Sequence, residues 1–308
     1  MLKALVFGKQ RPAPLIKALC YHLTRKTDIN DLKVITDGFY AISQLSIKDQ
    51  ELMETLCDKS VELIKENTED DLTAVIRSML TSLGHIAFLH RPLMDSITDW
   101  YNSKLDQGIL DRDLFNYVLT TANLNYQSAN SDTIYDTAVK QIQMDTLDTV
   151  KSTQFVWSLA VLEKVTETHL KSVLSAEFAS KILQNQDVRN TSSIQKLLCI
   201  NAVAKYLCEK YDGPTIELKD FTLDHKSTVQ SSQAKNILNA FHNLASPPNF
   251  LWENVETLMG FKITSEAVFD LEKLQAIGPI KEMALLGKQY RLQNLDFNRT
   301  NSHKLSKF

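Results

Sequence analysis

Four cysteines, Cys20, Cys57, Cys199 and Cys208, and seven histidines are the side chains of this 308-residue chain best suited to nucleophilic or metal chemistry. Their spacing supplies neither. No pair of cysteines stands in the C-x-x-C pattern of zinc or redox sites, so all four read as reduced, mostly buried thiols. His85 and His90 are five residues apart, off a common helix face, and miss the H-E-x-x-H geometry of a helical zinc site. Between Asp49 and Asp71 nine acids face only Lys59 and Lys65. Glu51, Glu54, Asp58, Glu62 and Glu66 among them form a stripe along one helix exterior, a solvated face and not the converging carboxylates a cation needs. Glycine-rich phosphate loops, kinase triplets and the G-x-S-x-G elbow are all absent. The expectation is a chain without intrinsic catalysis, bound metal or cofactor.

The basic and aromatic residues are more suggestive. Lys17, Arg25 and Lys26 lie near one end, followed by Arg77, His90 and Arg91 and then Lys151 and Lys164, with Tyr21, Tyr40, Tyr126 and Trp157 interleaved. Cations that hold phosphates beside side chains that stack on bases are the ordinary equipment for single-stranded RNA. Lys17, Arg25, Lys26, Arg77 and Lys151 are the candidate phosphate contacts. The core is the competing place for Tyr40, Tyr126 and Trp157. With 34 basic and 37 acidic residues the net charge is −3, so attraction to a polyanion must come from local patches.

Helices must position these groups. Only 8 glycines and 7 prolines occur, well under half of the roughly 12% of average usage. Segments beginning at Gly38, Met79, Tyr117 and Phe155 align at offsets of 41, 38 and 38 residues. Three residues into each stand Ala41, Ser82, Thr120 and Ser158; five in, Ser43, Gly84, Ala122 and Ala160; seven in, Leu45, Ile86, Leu124 and Leu162. Apolar residues at helical spacing give each segment one buried stripe, and small neighbours admit a second helix. A second helix follows each, marked by Leu52 with Leu56, Leu93 with Ile97, Ile134 with Ala138 and Leu170 with Leu174. One hairpin of this size cannot bury its own stripe, so the physical reason for repetition is stacking. The expected fold is all-α, a right-handed α-solenoid of two-helix repeats about 38–41 residues long. Asp31, Asp49, Ser131 and Asn190 are the expected N-caps.

The first 27 residues hold six cations and no acid, a composition shared with transit peptides. The stripe Leu15, Ile16, Leu19, Cys20 and Leu23 after Pro-Ala-Pro instead predicts the first folded helix, an initial half-repeat. Ser193 to Cys208 closes the array before Asp212-Gly213-Pro214. The longest apolar stretch, Leu197 to Cys208, contains Asn201 and Lys205 and is too short to insert in a membrane. Residues 1–213 are therefore the expected array and 214–233 a linker. Residues 234–287 are a small, mainly helical unit, with a short helix at Phe250–Leu258 and a hairpin within Phe261–Leu271, and 288–308 a disordered basic tail.

Several stretches resemble the FAST kinase domain-containing family: Arg11-Pro12-Ala13-Pro14-Leu15-Ile16-Lys17-Ala18 with Tyr21-His22-Leu23, Tyr117 to Tyr126, Phe155-Val156-Trp157-Ser158-Leu159, and Gln195-Lys196-Leu197-Leu198 with Ile200-Asn201. The likeness runs in one order from Lys9 to Ile277 and includes Met259-Gly260-Phe261-Lys262-Ile263. It implies a mitochondrial matrix protein that binds single-stranded mitochondrial RNA and regulates the stability or processing of messages, with other RNA-granule proteins as further partners. It also implies a C-terminal RAP domain and a long N-terminal extension, both of which this sequence is expected to lack. The resemblance assigns no residue-level binding motif. A concave helical surface serves peptides as readily as RNA, so a protein-interaction scaffold without RNA contact is the alternative function.

Overall fold

A computed structural model describes residues 1–25, 29–67, 72–183, 190–208 and 210–217, and in the C-terminal stretch 236, 238–240, 242–243, 251–256, 262–267, 269–270 and 275–276. Helices account for the first two hundred residues: α1 Leu2–Phe7, α2 Ala13–Arg25, α3 Leu32–Leu45, α4 Gln50–Glu66, α5 Thr73–Ile86, α6 Arg91–Lys104, α7 Asp111–Leu124, α8 Asp132–Gln141, α9 Thr149–Val161, α10 Glu167–Leu174, α11 Ala176–Leu183 and α12 Asn190–Tyr206. They fall into two compact units, residues 1–147 with 161–164, and residues 148–160 with 165–308.

In the first unit the odd-numbered helices α1, α3, α5 and α7 pack on one another in order, and the even-numbered α2, α4, α6 and α8 do the same. The periodicity of each helix dictates this. On α3, Ile35, Phe39 and Ile42 are closed to solvent, as are Ile76, Met79, Leu80 and Leu83 on α5 and Leu114, Tyr117 and Val118 on α7. Each large side chain buried this way is worth about 1.5–3 kcal/mol. Between layers the rings of Tyr101, Tyr117 and Tyr135 follow one another at 5.1 and 5.8 Å, and the Tyr117 hydroxyl lies 2.7 Å from Thr98 Oγ1.

Small residues set the approach of neighbouring helices. A Cβ on Gly84 would stand 3.4 Å from Thr120 Oγ1, and that hydroxyl donates to the Leu80 carbonyl at 3.2 Å. The predicted small positions Ala41, Ser82, Thr120 and Ser158 are all buried. Leu45, Leu124 and Leu162 are buried with them, while Ile86 keeps partial exposure.

The repeat is written into the backbone as well. Among the described residues the non-glycine positions with positive φ are Lys9, Ser46, Ala87, Asn125 and Glu163, which stand 37, 41, 38 and 38 residues apart. Ser46, Ala87 and Asn125 directly follow α3, α5 and α7, and Lys9 stands one residue beyond the Gly8 that follows α1. The amides one residue further on, of Gln10, Ile47, Phe88 and Tyr126, donate to carbonyls five residues back, those of Leu5, Ile42, Leu83 and Thr121. This is the Schellman closure, which satisfies the orphan carbonyls of a helix end. Ahead of α2, where the sequence suggested an initial half-repeat, stands the further short helix α1, which packs on α3.

The second unit holds α10, α11, α12 and most of α9. The His169 ring stands edge-on to Phe155 at 6.0 Å between centroids, and both are buried. Asn201 of α12 accepts from the Ile216 amide at 2.8 Å and donates to its carbonyl at 2.9 Å, holding the chain beyond Tyr206 against the helix.

Asp31 and Asp49 cap α3 and α4 through Lys33 N and Leu52 N. Ser131 precedes α8, but its hydroxyl donates to Ser128 O instead of capping, and Asn190 is the first residue of α12. The caps the sequence did not suggest are His90 for α6 and Thr166 for α10.

The C-terminal expectation needs correction. Leu251–Glu256 is a strand, β1, and not a helix; it pairs antiparallel with β2, Lys262–Ala267, and β3, Phe269–Asp270, pairs with β4, Gln275–Ala276. The double proline before Asn249 looks like a helix start, but Trp252 and Val255 favour a strand once Ile263 and Thr264 offer one to pair with. The hairpin expected within Phe261–Leu271 thus finds its partner upstream. Helical residues do occur at 236, 238–240 and 242–243, so the described residues of this stretch mix helix and strand. The 288–308 tail lies outside the described residues.

Candidate nucleic-acid interface

Of the five candidate phosphate contacts, Lys17 and Arg25 are exposed on α2, with the Arg25 guanidinium 4.0 Å above the exposed ring of Tyr21. Three helical turns of α2 bury only Ile16 and Cys20, which leaves the rest of the helix to water. Lys26 lies outside the described residues. Lys151, on α9 in the second unit, is exposed and stands 3.3 Å from Asp148, one turn earlier. The Lys151 backbone amide is the main reason the Asp148 carboxyl sits below the usual carboxylate range. An exposed pair of this kind is worth little, so the ammonium can turn to a phosphate.

Arg77 is different. Its guanidinium is 2.6 Å from Asp113 Oδ1 on the neighbouring α7, and that carboxylate is fully buried. Thr81, one turn on, accepts from Asn116 Nδ2 at 2.7 Å. These bonds make a polar seam between α5 and α7, and Arg77 serves it.

A second ladder joins α4, α6 and α8 each to the turn that follows the next odd-numbered helix. Asp58 of α4 meets His90 Nε2 at 3.2 Å, Asp95 of α6 accepts from the Tyr126 hydroxyl at 2.7 Å, and Asp132 of α8 meets Lys164 at 2.9 Å. His90 completes its role through Nδ1, which accepts the Leu93 amide at 3.3 Å. Burial and Asp95 together push the Tyr126 hydroxyl up to about 12. Carboxylates not in the ladder, Glu51, Glu54 and Glu62 on α4 and Asp136 on α8, remain exposed. This face repels phosphate. The outward face of the odd-numbered helices carries Lys33, Tyr40, Gln44, Ser78, His85, Arg112 and Asn123, with Asp37 there paired to Lys3 at 2.6 Å.

Trp157 and Lys196 meet within the second unit, the ammonium 4.7 Å from the ring centroid. Burial pushes the thiols of Cys20, Cys57 and Cys208 up and that of Cys199 up to about 11, which keeps all four protonated at neutral pH. Among the described residues no three metal-ligating side chains converge, and no helix is long and apolar enough to cross a membrane.

Residues 114–183, from α7 through α11, match the family model for FAST kinase-like protein, subdomain 1. FAST kinase domain-containing protein 4 of Homo sapiens is 24% identical over 277 residues, 88% of this chain and 43% of that protein. Rattus norvegicus and Mus musculus proteins of the same name are 24% and 25% identical over 217 and 218 residues. The chain spans well under half the length of these relatives, 43% in the first and 34% in the other two. The region that matches the FAST kinase-like model includes the Asn125 cap, Tyr126 and the Thr166 cap of α10 with the buried His169.

Proposed function

We propose that this FAST kinase-like chain binds single-stranded RNA in the mitochondrial matrix and regulates the stability or processing of mitochondrial messages, without catalysing a reaction itself. The scaffold for this is a right-handed α-solenoid of two-helix repeats about 38–41 residues long. The observation that carries the reading is the repetition itself: stacked hairpins set equivalent side chains at regular intervals on one face, and a polymer with a regular repeat is the ligand that such a row fits. Lys17 and Arg25 are exposed without a carboxylate partner among the described residues, Lys151 has only its exposed pair with Asp148, and the similarity to proteins named FAST kinase domain-containing protein 4 supports the reading. A net charge of −3 makes the affinity moderate and salt-sensitive.

The test is binding of labelled single-stranded RNA to the full chain over a salt series. Binding at low salt that weakens with salt in proportion to the number of phosphate contacts is expected. No binding at low salt, with capture of a protein partner instead, would establish the scaffold reading in its place.

A further inference from the structure

Position on the repeat sorts the outward face of α3, α5 and α7 into rows. Lys33 and Arg112 are equivalent residues near the N-terminal ends of α3 and α7, and Gln44, His85 and Asn123 are equivalent residues near the C-terminal ends of α3, α5 and α7. Within α3, residues 33, 37, 40 and 44 are spaced by four, three and four, so they share one face. That face is opposite Ile35, Phe39 and Ile42, which enter the core.

Gln44 and His85 are exposed and Asn123 is half-buried, and no hydrogen bond joins any of the three side chains to another described residue. This contrasts with the even-numbered helices, where Asp58, Asp95 and Asp132 are all engaged in the ladder. The row is contiguous: Asn123 Nδ2 would lie 3.6 Å from a Cβ on Gly84, the residue next to His85. Lys33 pairs with no carboxylate among the described residues, and Arg112 is exposed, its nearest acid Asp113 at 3.8 Å.

We propose that Gln44, His85 and Asn123 are base-contacting residues for single-stranded RNA, one per hairpin, with Tyr40 as a stacking surface and Lys33 and Arg112 holding phosphates along the same helices. This rests on the RNA-binding reading and assigns it a face. Two amides and an imidazole each offer a donor and an acceptor, the groups needed to meet the exposed edges of unstacked bases. Helices that pack 8–10 Å apart set the interval between successive contacts. The acidic outward face of the even-numbered helices excludes the backbone from the other side.

The experiment compares the full chain with the triple variant Gln44→Ala, His85→Ala and Asn123→Ala, using short homopolymers of A, C and U. The triple variant is expected to lose affinity by about tenfold or more and to discriminate less among the three RNAs, with an unchanged salt slope. Lys33→Ala with Arg112→Ala is expected to flatten the slope by about 1.4 and leave the order of preference intact. All five positions are at least partly open to solvent, and circular dichroism verifies that the variants keep the parental helix content. As a control on the opposite face, Glu51→Gln, Glu54→Gln and Glu62→Gln should not weaken binding. Parental affinity and base preference in the triple variant would overturn the assignment while leaving RNA binding intact. Failure of the parent chain to bind any RNA would remove the RNA reading and this row together.

Discussion

Arg77 on α5 holds Asp113 on α7 at 2.6 Å, with the carboxylate wholly inside the protein and the guanidinium still reaching water. In the sequence Arg77 is one more cation near a turn; in the fold it compensates a charge that cannot otherwise be buried. Arg77→Ala should therefore destabilise the protein by about 3 kcal/mol, the lower end for breaking a buried pair, because Asp113 is left uncompensated. Adding Asp113→Asn to that variant removes the stranded charge and should recover part of the loss. Urea unfolding of the two variants checks the order.

The left-handed caps allow a second comparison. Ala87 carries φ of 56° and Asn125 φ of 47° at the same repeat position. Alanine is strained there, whereas asparagine tolerates the conformation. Ala87→Gly should stabilise by about 0.5–1 kcal/mol after the larger unfolded-state entropy of glycine is subtracted. Asn125→Gly should change little and Asn125→Ala should destabilise. Thermal melts of the three single variants read this directly.

His169 sets a pH dependence. Burial holds its imidazole below the ordinary histidine value, against Phe155 and 2.8 Å from Thr166 Oγ1. As pH falls through about 6.5 the unfolded chain takes up the proton first. The stability that neutral His169 contributes is therefore full above that pH, declines below it, and levels off under the folded value. Melting the parent and His169→Gln between pH 7.5 and pH 5 should show the smaller acid loss in the variant.

Salt dependence separates free cations from structural ones. Lys17→Ala, Arg25→Ala and Lys151→Ala should each flatten the slope of log affinity against log salt by about 0.7 if their phosphates are contacted. Arg77→Ala, measured where it remains folded, should flatten it less, because its charge is already spent on Asp113. Fluorescence anisotropy across a salt series gives all four slopes.

Much of the array was legible before folding. The offsets of 41, 38 and 38 residues located α3, α5, α7 and α9, because a stripe that must be buried repeats with the element that carries it. The acidic stripe on α4 was equally plain, since Glu51, Glu54, Asp58 and Glu62 share one helical exterior. Less legible was β1. A six-residue strand such as Leu251–Glu256 draws its stability from its partner, Lys262–Ala267, and nothing local to it decides between strand and helix.

The sequence by itself determined where the helices lie and which face of each is buried, because both follow from apolar periodicity along a single chain. Only the tertiary structure decided which polar groups remain available. Arg77 and Asp113 are 36 residues apart, Asp95 and Tyr126 31, and Asp132 and Lys164 32, and each pairing depends on how one hairpin seats on the next. Periodicity says that such residues lie near neighbouring helices; the seating of side chain against side chain determines which charges are spent holding the stack together. Gln44, His85 and Asn123 are the complement of that outcome, set at one repeat position by the sequence and left by the packing without a hydrogen bond to another described residue.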